Sequence, residues 1–421
     1  MSEELKALKK QLLKDDRNGY DVLSAAELEK MEAYCTVYKA FLDAGKTERL
    51  SARAAIALAE KHGFVAYKRG MSLFAGDKVY TCNRGKGLML AVIGRRSLAE
   101  GAQITAAHID SPRLDLKPSP LYEDSELAYF KTHYYGGVRK YQWVTIPLEL
   151  RGTVVLRDGS VVDVCIGEGS EPKLVITDLL PHLGAEQGKK PLNEAIAGET
   201  LNILLGSRPL GDDEDSDRVK LQVLKRLYDK YGITEADFAS AELETVPAVN
   251  ATDIGLDASL IGAYGHDDRV CGFAALQALL DIGTPEKTAV CVLADKEEIG
   301  SMGVTGMQSA AFDTFMNDLC DSQNVALRVC YENAFCLSAD VTAACETALQ
   351  SLGSLAAEAE IAFFGGIRNA RFRRQVTPGD VLEMECTLTK RRGPVGIGEC
   401  KATVGGELAC TAELTFAIGA E

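Results

Sequence analysis

The chain has 421 residues, a length that favours two or three domains. Its residues are 46% hydrophobic and 25% charged, as in an ordinary globular protein. Its formal net charge of −15 argues against nucleic acid as a partner, because the phosphate backbone repels an acidic surface. No stretch approaches about 18 uninterrupted apolar residues, and the first residues contain no apolar segment of the kind found in secretory signals. We therefore expect a cytoplasmic protein that does not span a membrane.

The twelve cysteines are dispersed along the chain without a C-x-x-C pair. Cysteines in a large protein that is not exported usually serve as small buried hydrophobic residues. Cys291 and Cys386 fit this interpretation, because both lie in runs with the composition of strands. We expect neither a disulfide framework nor a zinc site built on cysteine.

The first part of the chain is predicted to be helical. Leucines recur at helical spacing from Leu5 to Leu13. Ser24, followed three residues later by Glu27, is typical of a capping box, so a second helix should begin there. Apolar runs then predict two strands, at 88–94 and 102–110.

Residues 113–245 have a different character, with strand-like runs and acidic loops such as 211–217. Asp158 and Gly159 separate two apolar runs and predict a β-hairpin. From about residue 250 a pattern of helices and apolar strands returns, and several of these strands end in acidic residues. We expect an α/β fold with an inserted β-rich domain, and acidic groups at the carboxyl edge of its sheet, where such folds keep their active sites.

The pattern changes again after about Ala344. Apolar and polar residues alternate over 382–389, and a second alternating stretch contains a turn at Gly405 and Gly406. This alternation indicates an antiparallel meander with one buried face. Such a meander does not belong to a parallel α/β sheet.

Four short motifs carry residues suited to chemistry. They are AAHIDSP with His108 and Asp110, YGHDDR with Asp267 and Asp268, ADKEEIGS with Glu297 and Glu298, and LSADV with Asp340. Each motif is weak alone, because a lone histidine or an acidic pair is usually structural or solvated. Together they offer one imidazole and several carboxylates, which are ligands that zinc, manganese and cobalt accept.

The adjacent glutamates also have a chemical logic. One can hold a metal while its neighbour accepts a proton from metal-bound water, whose pKa falls to about 7. In two-metal sites the ions lie about 3.5–4 Å apart, close enough for one carboxylate to bridge them. The combination predicts a two-metal hydrolase site.

Over about residues 1–344 the sequence resembles the aspartyl aminopeptidase, or aminopeptidase I, family of zinc metallopeptidases. The resemblance is carried by AAHIDSPRLDLKP, THYYGGVRKYQWVTIPL, GHDDR, DKEEIGS and LSADVTAA. It implies a zinc-peptidase-like α/β catalytic domain over 1–112 and 246–344, and an inserted β-rich domain over 113–245 that assembles homo-oligomers. It also implies an aminopeptidase that acts on peptides with two Zn²⁺ per subunit, or with Mn²⁺ or Co²⁺.

The resemblance also implies roles for individual residues. His108 and Asp340 would be ligands of one metal, Asp267 would bridge the two metals, and Glu298 would be a ligand of the other. Asp110 would support His108, and Glu297 would be the general base. The assignment of the bridge to Asp267 rather than Asp268 is a choice of alignment.

A further family block contains His133 and a turn at Gly136 and Gly137. The residues leave three roles open for this block: lining the substrate pocket, contacting another subunit, or a purely structural role. Trp143, the single tryptophan, is expected to pack in a core.

One part of the family pattern is missing. The family's second metal has a final histidine ligand near the C-terminus, whereas none of the five histidines here follows Asp340. Residues 345–421 instead resemble the second half of the hotdog-fold β-hydroxyacyl-acyl-carrier-protein dehydratases, without the half that holds their catalytic histidine and acid. His266 is not expected to replace the missing ligand, because adjacent side chains in extended backbone point to opposite faces.

These observations lead first to a metal-dependent aminopeptidase with weakened affinity for one metal. The alternative is a catalytically silent assembly protein. A third hypothesis is a hotdog thioester enzyme completed by a partner subunit. In such an enzyme the basic run from Arg371 to Arg374 would contact acyl carrier protein or phosphopantetheine, although a run of this kind is more often a solvated strand edge. The sequence decides neither the preferred substrate residue nor whether the junction is a gene fusion, a sequencing artefact or a deliberate chimera.

Overall fold

The structure is a computed structural model that describes residues 8, 9, 11, 12, 18–211, 217–341, 362–373, 382–392 and 395–418. Its packing divides the chain into two units, Met1–Val341 and Thr342–Glu421. The predicted helix from Leu5 to Leu13, the acidic loop 211–217 and the run ending at Arg374 lie partly outside the described residues, and the junction near residue 345 lies wholly outside them.

The first unit contains both helices and strands. Its helices are α1 (Gly19–Val22), α2 (Ala25–Ala44), α3 (Glu48–Lys61), α4 (Leu192–Ala195), α5 (Arg218–Tyr231), α6 (His266–Asp281), α7 (Ala311–Asp321) and α8 (Leu327–Asn333). Its strands are β1 (Val65–Ala66), β2 (Lys78–Asn83), β3 (Gly87–Val92), β4 (Gln103–His108), β5 (Arg113–Asp124), β6 (Leu127–Tyr135), β7 (Leu148–Val155), β8 (Val161–Ile166), β9 (Ile203–Gly206), β10 (Ala241–Pro247), β11 (Thr252–Ile254), β12 (Leu260–Gly262), β13 (Ala289–Ala294) and β14 (Phe335–Ser338).

A six-stranded mixed sheet has the order β1-β2-β3-β13-β4-β14. The strands predicted at 88–94 and 102–110 are confirmed as β3 and β4. β13 and β14 both run parallel to β4, whereas β3 is antiparallel to β2 and β13. The carboxyl ends of β4, β13 and β14 therefore meet at one edge of the sheet.

Helices cover both faces of this sheet. On one face, Phe41 of α2 and Phe273 of α6 pack in a core with Leu90. On the other, Met316 of α7 packs in a core with Val292. β3 is buried along its whole length, as its continuous apolar sequence requires when both faces are covered.

The predicted capping box of α2 is confirmed. The Glu27 backbone amide donates to Ser24 Oγ at 3.4 Å, and the Ser24 amide donates to Glu27 Oε2 at 2.8 Å. The two contacts satisfy amide groups that the first helical turn leaves without a partner. The local sequence therefore sets where this helix begins.

A second six-stranded sheet has the order β8-β7-β10-β5-β6-β9, and its described pairings are antiparallel. β7 and β8 form the predicted hairpin, with Val155 paired to Val161. The core on this sheet contains Phe130, Leu150 and Trp143, so Trp143 is a packing residue as expected. The sheet spans Arg113 to Pro247, and its role in assembly stays a prediction.

Buried charges join the two sheets. Glu48, the first residue of α3, lies 2.8 Å from Lys86 Nζ and 3.2 Å from Arg113 Nη1. Arg113 Nη2 lies 3.2 Å from Glu244 Oε1 on β10. Burial alone would raise the pKa of Glu48, but Arg113 and Lys86 lower it to about 2. These ion pairs hold the start of β5, at Arg113, close to the end of β4, at His108.

The second unit contains a four-stranded antiparallel sheet in the order β15-β18-β17-β16. Its strands are β15 (Ala362–Phe372), β16 (Leu382–Arg392), β17 (Val395–Val404) and β18 (Glu407–Ile418). Gly405 and Gly406 form the predicted turn, and both have positive φ angles, 56° and 83°, which glycine adopts without steric cost. The predicted antiparallel meander is confirmed.

Two smaller expectations concern membranes and cysteines. Within the part of the chain that the structure describes, no helix is long and apolar enough to cross a membrane. The described cysteines are free thiols, and Cys291 is buried as expected.

Candidate metal centre

Strand ends bring the motif residues together. His108 is the last residue of β4, Glu297 begins a short 3-10 helix after β13, and Asp340 follows β14 by two residues. His108 Nε2 lies 3.7 Å from Glu297 Oε2 and 3.9 Å from Asp340 Oδ1. Three sequence motifs that lie far apart along the chain thus converge on one imidazole, as strand-end placement predicts.

The fourth motif contributes its first aspartate. Asp267 Oδ1 lies 3.2 Å from His108 Nε2, and the peptide bond between Asp267 and Asp268 is cis. Asp268 is fully buried, and burial raises its pKa to about 6. Asp267, whose side chain is 53% exposed, is therefore the acid of this pair that faces the cleft beside His108.

Asp110 orients the imidazole. Nδ1 of the buried His108 lies 3.0 Å from the Asp110 carbonyl oxygen and 3.4 Å from its Oδ1. A proton on Nδ1 satisfies these acceptors, so the lone pair of Nε2 faces the other carboxylates. Burial raises the pKa of Asp110, but hydrogen bonds from His108 and Tyr135 bring it below its ordinary value.

The residues present fit a zinc ion. His108 Nε2 is buried and makes no hydrogen bond to the described residues, although carboxylates surround it. The ligand atoms of His108, Asp267 and Asp340 all lie within 4.8 Å of one another. The unprotonated nitrogen and the carboxylate oxygens around it repel one another unless a proton or a metal cation lies between them, and zinc accepts this donor set. In the metal-free protein, burial lowers the pKa of His108, but Asp110 and Asp267 raise it to about 11.

A model of the aminopeptidase I zinc metalloprotease family, M18, matches residues 41–351 of the chain. The chain belongs to the M18 family. A probable M18 family aminopeptidase 1 of Clostridium acetobutylicum is 46% identical over 342 residues, covering 79% of this chain and 74% of the relative. The predicted class, a metal-dependent aminopeptidase with a zinc site, is confirmed at the level of the family.

Solved M18 structures share the fold of the first unit. The M18 aminopeptidase of Thermotoga maritima has a TM-score of 0.73 at 38% identity, covering 78% of this chain and 72% of its own. Aminopeptidase I of Clostridium acetobutylicum has a TM-score of 0.71 at 41% identity, covering 79% and 74%. A yeast protein whose structure is described as a dodecamer, at 21% identity and a TM-score of 0.59 over 74% of this chain and 72% of its own, shares the fold.

The C-terminal part has a different relationship, as predicted. A FabA-like domain model matches residues 337–413. A 3-hydroxyacyl-acyl-carrier-protein dehydratase of Exiguobacterium sibiricum is 64% identical over 61 residues, which are 14% of this chain and 44% of that protein. An M18 segment is therefore followed by part of a dehydratase-like domain.

Two of the other histidines of this M18 chain lie apart from the cluster. His266 Nδ1 shares a hydrogen bond with the Tyr38 hydroxyl at 2.9 Å, and its Nε2 lies 3.1 Å from the Ile261 carbonyl oxygen. Its ring is thus engaged elsewhere, as the alternation of side chains predicted. His133 is exposed and stacks on Tyr134, and its part in substrate binding stays a prediction.

The turn after His133 contacts the site directly. A Cβ on Gly136 would lie 2.9 Å from Glu298 Oε2. Tyr135, the residue before it, donates a hydrogen bond to Asp110 Oδ2 at 2.7 Å. The sequence block that contains these residues does not single out Tyr135, because nothing local in THYYGG distinguishes it from Tyr134.

Gly136→Ala should lower kcat/KM by roughly 10- to 100-fold, because displacing a reacting group by about 1 Å can cost that much. The added methyl group would press on Glu298, and Gly136 has a φ of 71°, which L side chains rarely adopt. Gly137→Ala is the matched control, since its Cβ would meet nothing within 4 Å. Equal activity of the two variants, measured on a leucyl amide, would show that the close contact has no role.

Proposed function

We propose that this M18 chain removes N-terminal residues from peptides at the cluster around His108. His108, Asp267 and Asp340 would hold zinc, Glu298 would serve a second metal position, and Glu297 would be the general base. The observation that carries this proposal is the buried Nε2 of His108, which faces three carboxylates within 3.9 Å and makes no hydrogen bond to the described residues.

Zinc, when bound, supplies a Lewis acid that polarises the scissile carbonyl and lowers the pKa of water. The chain supplies positioning and proton transfer. Glu297 is 50% exposed, so its carboxylate reaches the cleft and can accept a proton from the attacking water and return it to the departing amine. Its backbone amide donates to Asp110 Oδ1 at 3.2 Å, which fixes the base relative to His108.

The second metal position is short of a nitrogen ligand. The family resemblance implies two metals and a final histidine, and no histidine follows His266 in this chain. Glu298 is half-buried, and burial and the charge of Asp267 raise its pKa to about 7. We infer that one position binds Zn²⁺ firmly and that the other binds Zn²⁺, Mn²⁺ or Co²⁺ weakly, which reduces turnover.

The second sheet is proposed to assemble homo-oligomers through residues 113–245. Support comes from the yeast relative of the same fold that is described as a dodecamer. A cytoplasmic location belongs to the same proposal.

The direct test is hydrolysis of leucyl and aspartyl p-nitroanilides before and after dialysis against a chelator. We expect slow hydrolysis that is lost with the metal, returns with added zinc and is absent in His108→Ala. His182→Ala is the matched control, because His182 is an exposed histidine of the second sheet's domain. Activity that survives both chelation and His108→Ala would refute a metal-dependent site at His108.

A silent assembly protein is the second candidate, and the missing histidine favours it. Under that function the chain would form oligomers, bind zinc poorly and hydrolyse neither substrate. A dehydratase-like thioester activity has no support from the residues, because the C-terminal segment contains no histidine.

A further inference from the structure

We propose that Tyr135, at the end of β6, is a positioning residue of the peptidase site. Its hydroxyl would fix Asp110, and through Asp110 both the imidazole of His108 and the turn that carries Glu297 and Glu298. This inference rests on the proposed function and adds a role for the second sheet beyond assembly.

Asp110 is the point where three segments meet. Its Oδ2 accepts hydrogen bonds from the Tyr135 hydroxyl at 2.7 Å and from the Glu298 amide at 3.3 Å. Its Oδ1 accepts from the Glu297 amide at 3.2 Å and lies 3.4 Å from His108 Nδ1. One fully buried carboxylate therefore sets the positions of the imidazole and the base together.

The Tyr135 contact is the shortest of these four. A hydroxyl that donates to a carboxylate makes one of the stronger hydrogen bonds in proteins. Without it, Oδ2 of the buried Asp110 would keep only the long contact from the Glu298 amide. The carboxylate could then rotate about its χ2 angle. The positions of His108 and of the turn that carries Glu297 and Glu298 would then no longer be fixed relative to each other.

The ring of Tyr135 is itself held by charges of the second sheet. The Arg113 guanidinium lies 3.8 Å from the ring centroid, and the two residues are paired across β5 and β6. Arg113 is fixed in turn by Glu48 and Glu244. Lys296 Nζ lies 6.0 Å from the same ring. The contacts with Arg113 and Lys296 thus hold the ring of Tyr135 in the position from which its hydroxyl reaches Asp110.

The test is the zinc affinity of Tyr135→Phe, measured by competition with a chromophoric chelator. Phenylalanine keeps the ring and its contact with Arg113 and removes only the hydroxyl. We expect zinc affinity to fall by about 10- to 100-fold, the usual effect of removing a group that orients a metal ligand, and kcat to fall with it. Tyr134→Phe is the matched control, since Tyr134 is its neighbour and is 47% exposed.

A double-mutant cycle with Asp110→Asn shows whether Tyr135 acts through Asp110. In the Asp110→Asn background the further change Tyr135→Phe should have less than a threefold effect on zinc affinity. An unchanged zinc affinity in Tyr135→Phe, even with a lower melting temperature, would overturn the inference and leave a structural role. Because zinc binding is measured without substrate, an inactive wild-type chain would refute the proposed function but not the positioning role.

Discussion

Glu297→Gln should lower kcat for leucyl amide hydrolysis by roughly 100- to 10,000-fold, the usual contribution of a general base. Glutamine has the same shape but cannot accept a proton at neutral pH. The Glu297 amide, which donates to Asp110, is unchanged by the substitution. The position of the turn should therefore survive, and the loss should fall on the chemical step.

The zinc content of the Glu297→Gln variant shows whether the lower kcat comes from loss of the base or from loss of the metal site. Glu297 Oε2 lies 3.7 Å from His108 Nε2, but the proposed ligands do not include it, so the zinc content of the variant should equal that of the wild type. Glu332→Gln, at an exposed glutamate after β13, is the matched control and should keep full activity. A variant that retains more than about a tenth of the wild-type kcat would remove Glu297 from the role of base.

The second large effect concerns stability. Glu48→Gln should lower the free energy of unfolding by about 3–5 kcal/mol, the usual cost of removing one partner from a buried ion pair. Glu48 is 1% exposed, and its loss leaves Lys86 and Arg113 with buried charges facing a neutral amide. The measurement is urea unfolding of zinc-free protein followed by the fluorescence of Trp143, which lies in the core of the second sheet.

This effect should depend on pH in a stated direction. The pKa of Glu48 is lowered from 4.5 to about 2 in the folded protein, so its ionised form stabilises the fold above the unfolded pKa. As pH falls from about 4.5 towards 2 the contribution is lost, because the unfolded chain takes up the proton first. The difference between wild type and Glu48→Gln should therefore shrink over this range.

A control on the same unit shows that the effect is local. Glu29→Gln changes an exposed glutamate of α2 and should shift the free energy of unfolding by less than about 0.5 kcal/mol. A difference between wild type and Glu48→Gln that stayed constant from pH 7 to pH 3 would mean that ionisation of Glu48 is not the source of the stabilisation.

The sequence predicted those features of the site that depend on local pattern. Apolar strands that run into acidic residues place His108 and Asp340 at one sheet edge, and parallel pairing then brings them together. The cap at Ser24 and the turn at Gly405 are also local signals. The antiparallel direction of β3 could not be predicted in this way. A continuous apolar run indicates a buried strand but does not indicate whether that strand is parallel or antiparallel to its neighbours.

The contacts that organise the site could not be predicted from the sequence. Tyr135 is 25 residues from Asp110, and its neighbour Tyr134 has the same side chain but is exposed. Only the pairing of β5 with β6 selects which tyrosine points inward. Glu48 and Arg113 likewise resemble ordinary surface charges until the packing of α3 against the second sheet buries them.

The most direct test of the whole account is the number of zinc ions bound per chain, obtained by titrating metal-free protein in competition with a chromophoric chelator. We expect one tightly bound zinc and a second that is weaker by at least about a hundredfold, since losing a ligand should cost at least as much as losing a group that orients one. Two equally tight zinc ions would contradict the incomplete second position. No bound zinc would contradict the metal centre at His108 itself.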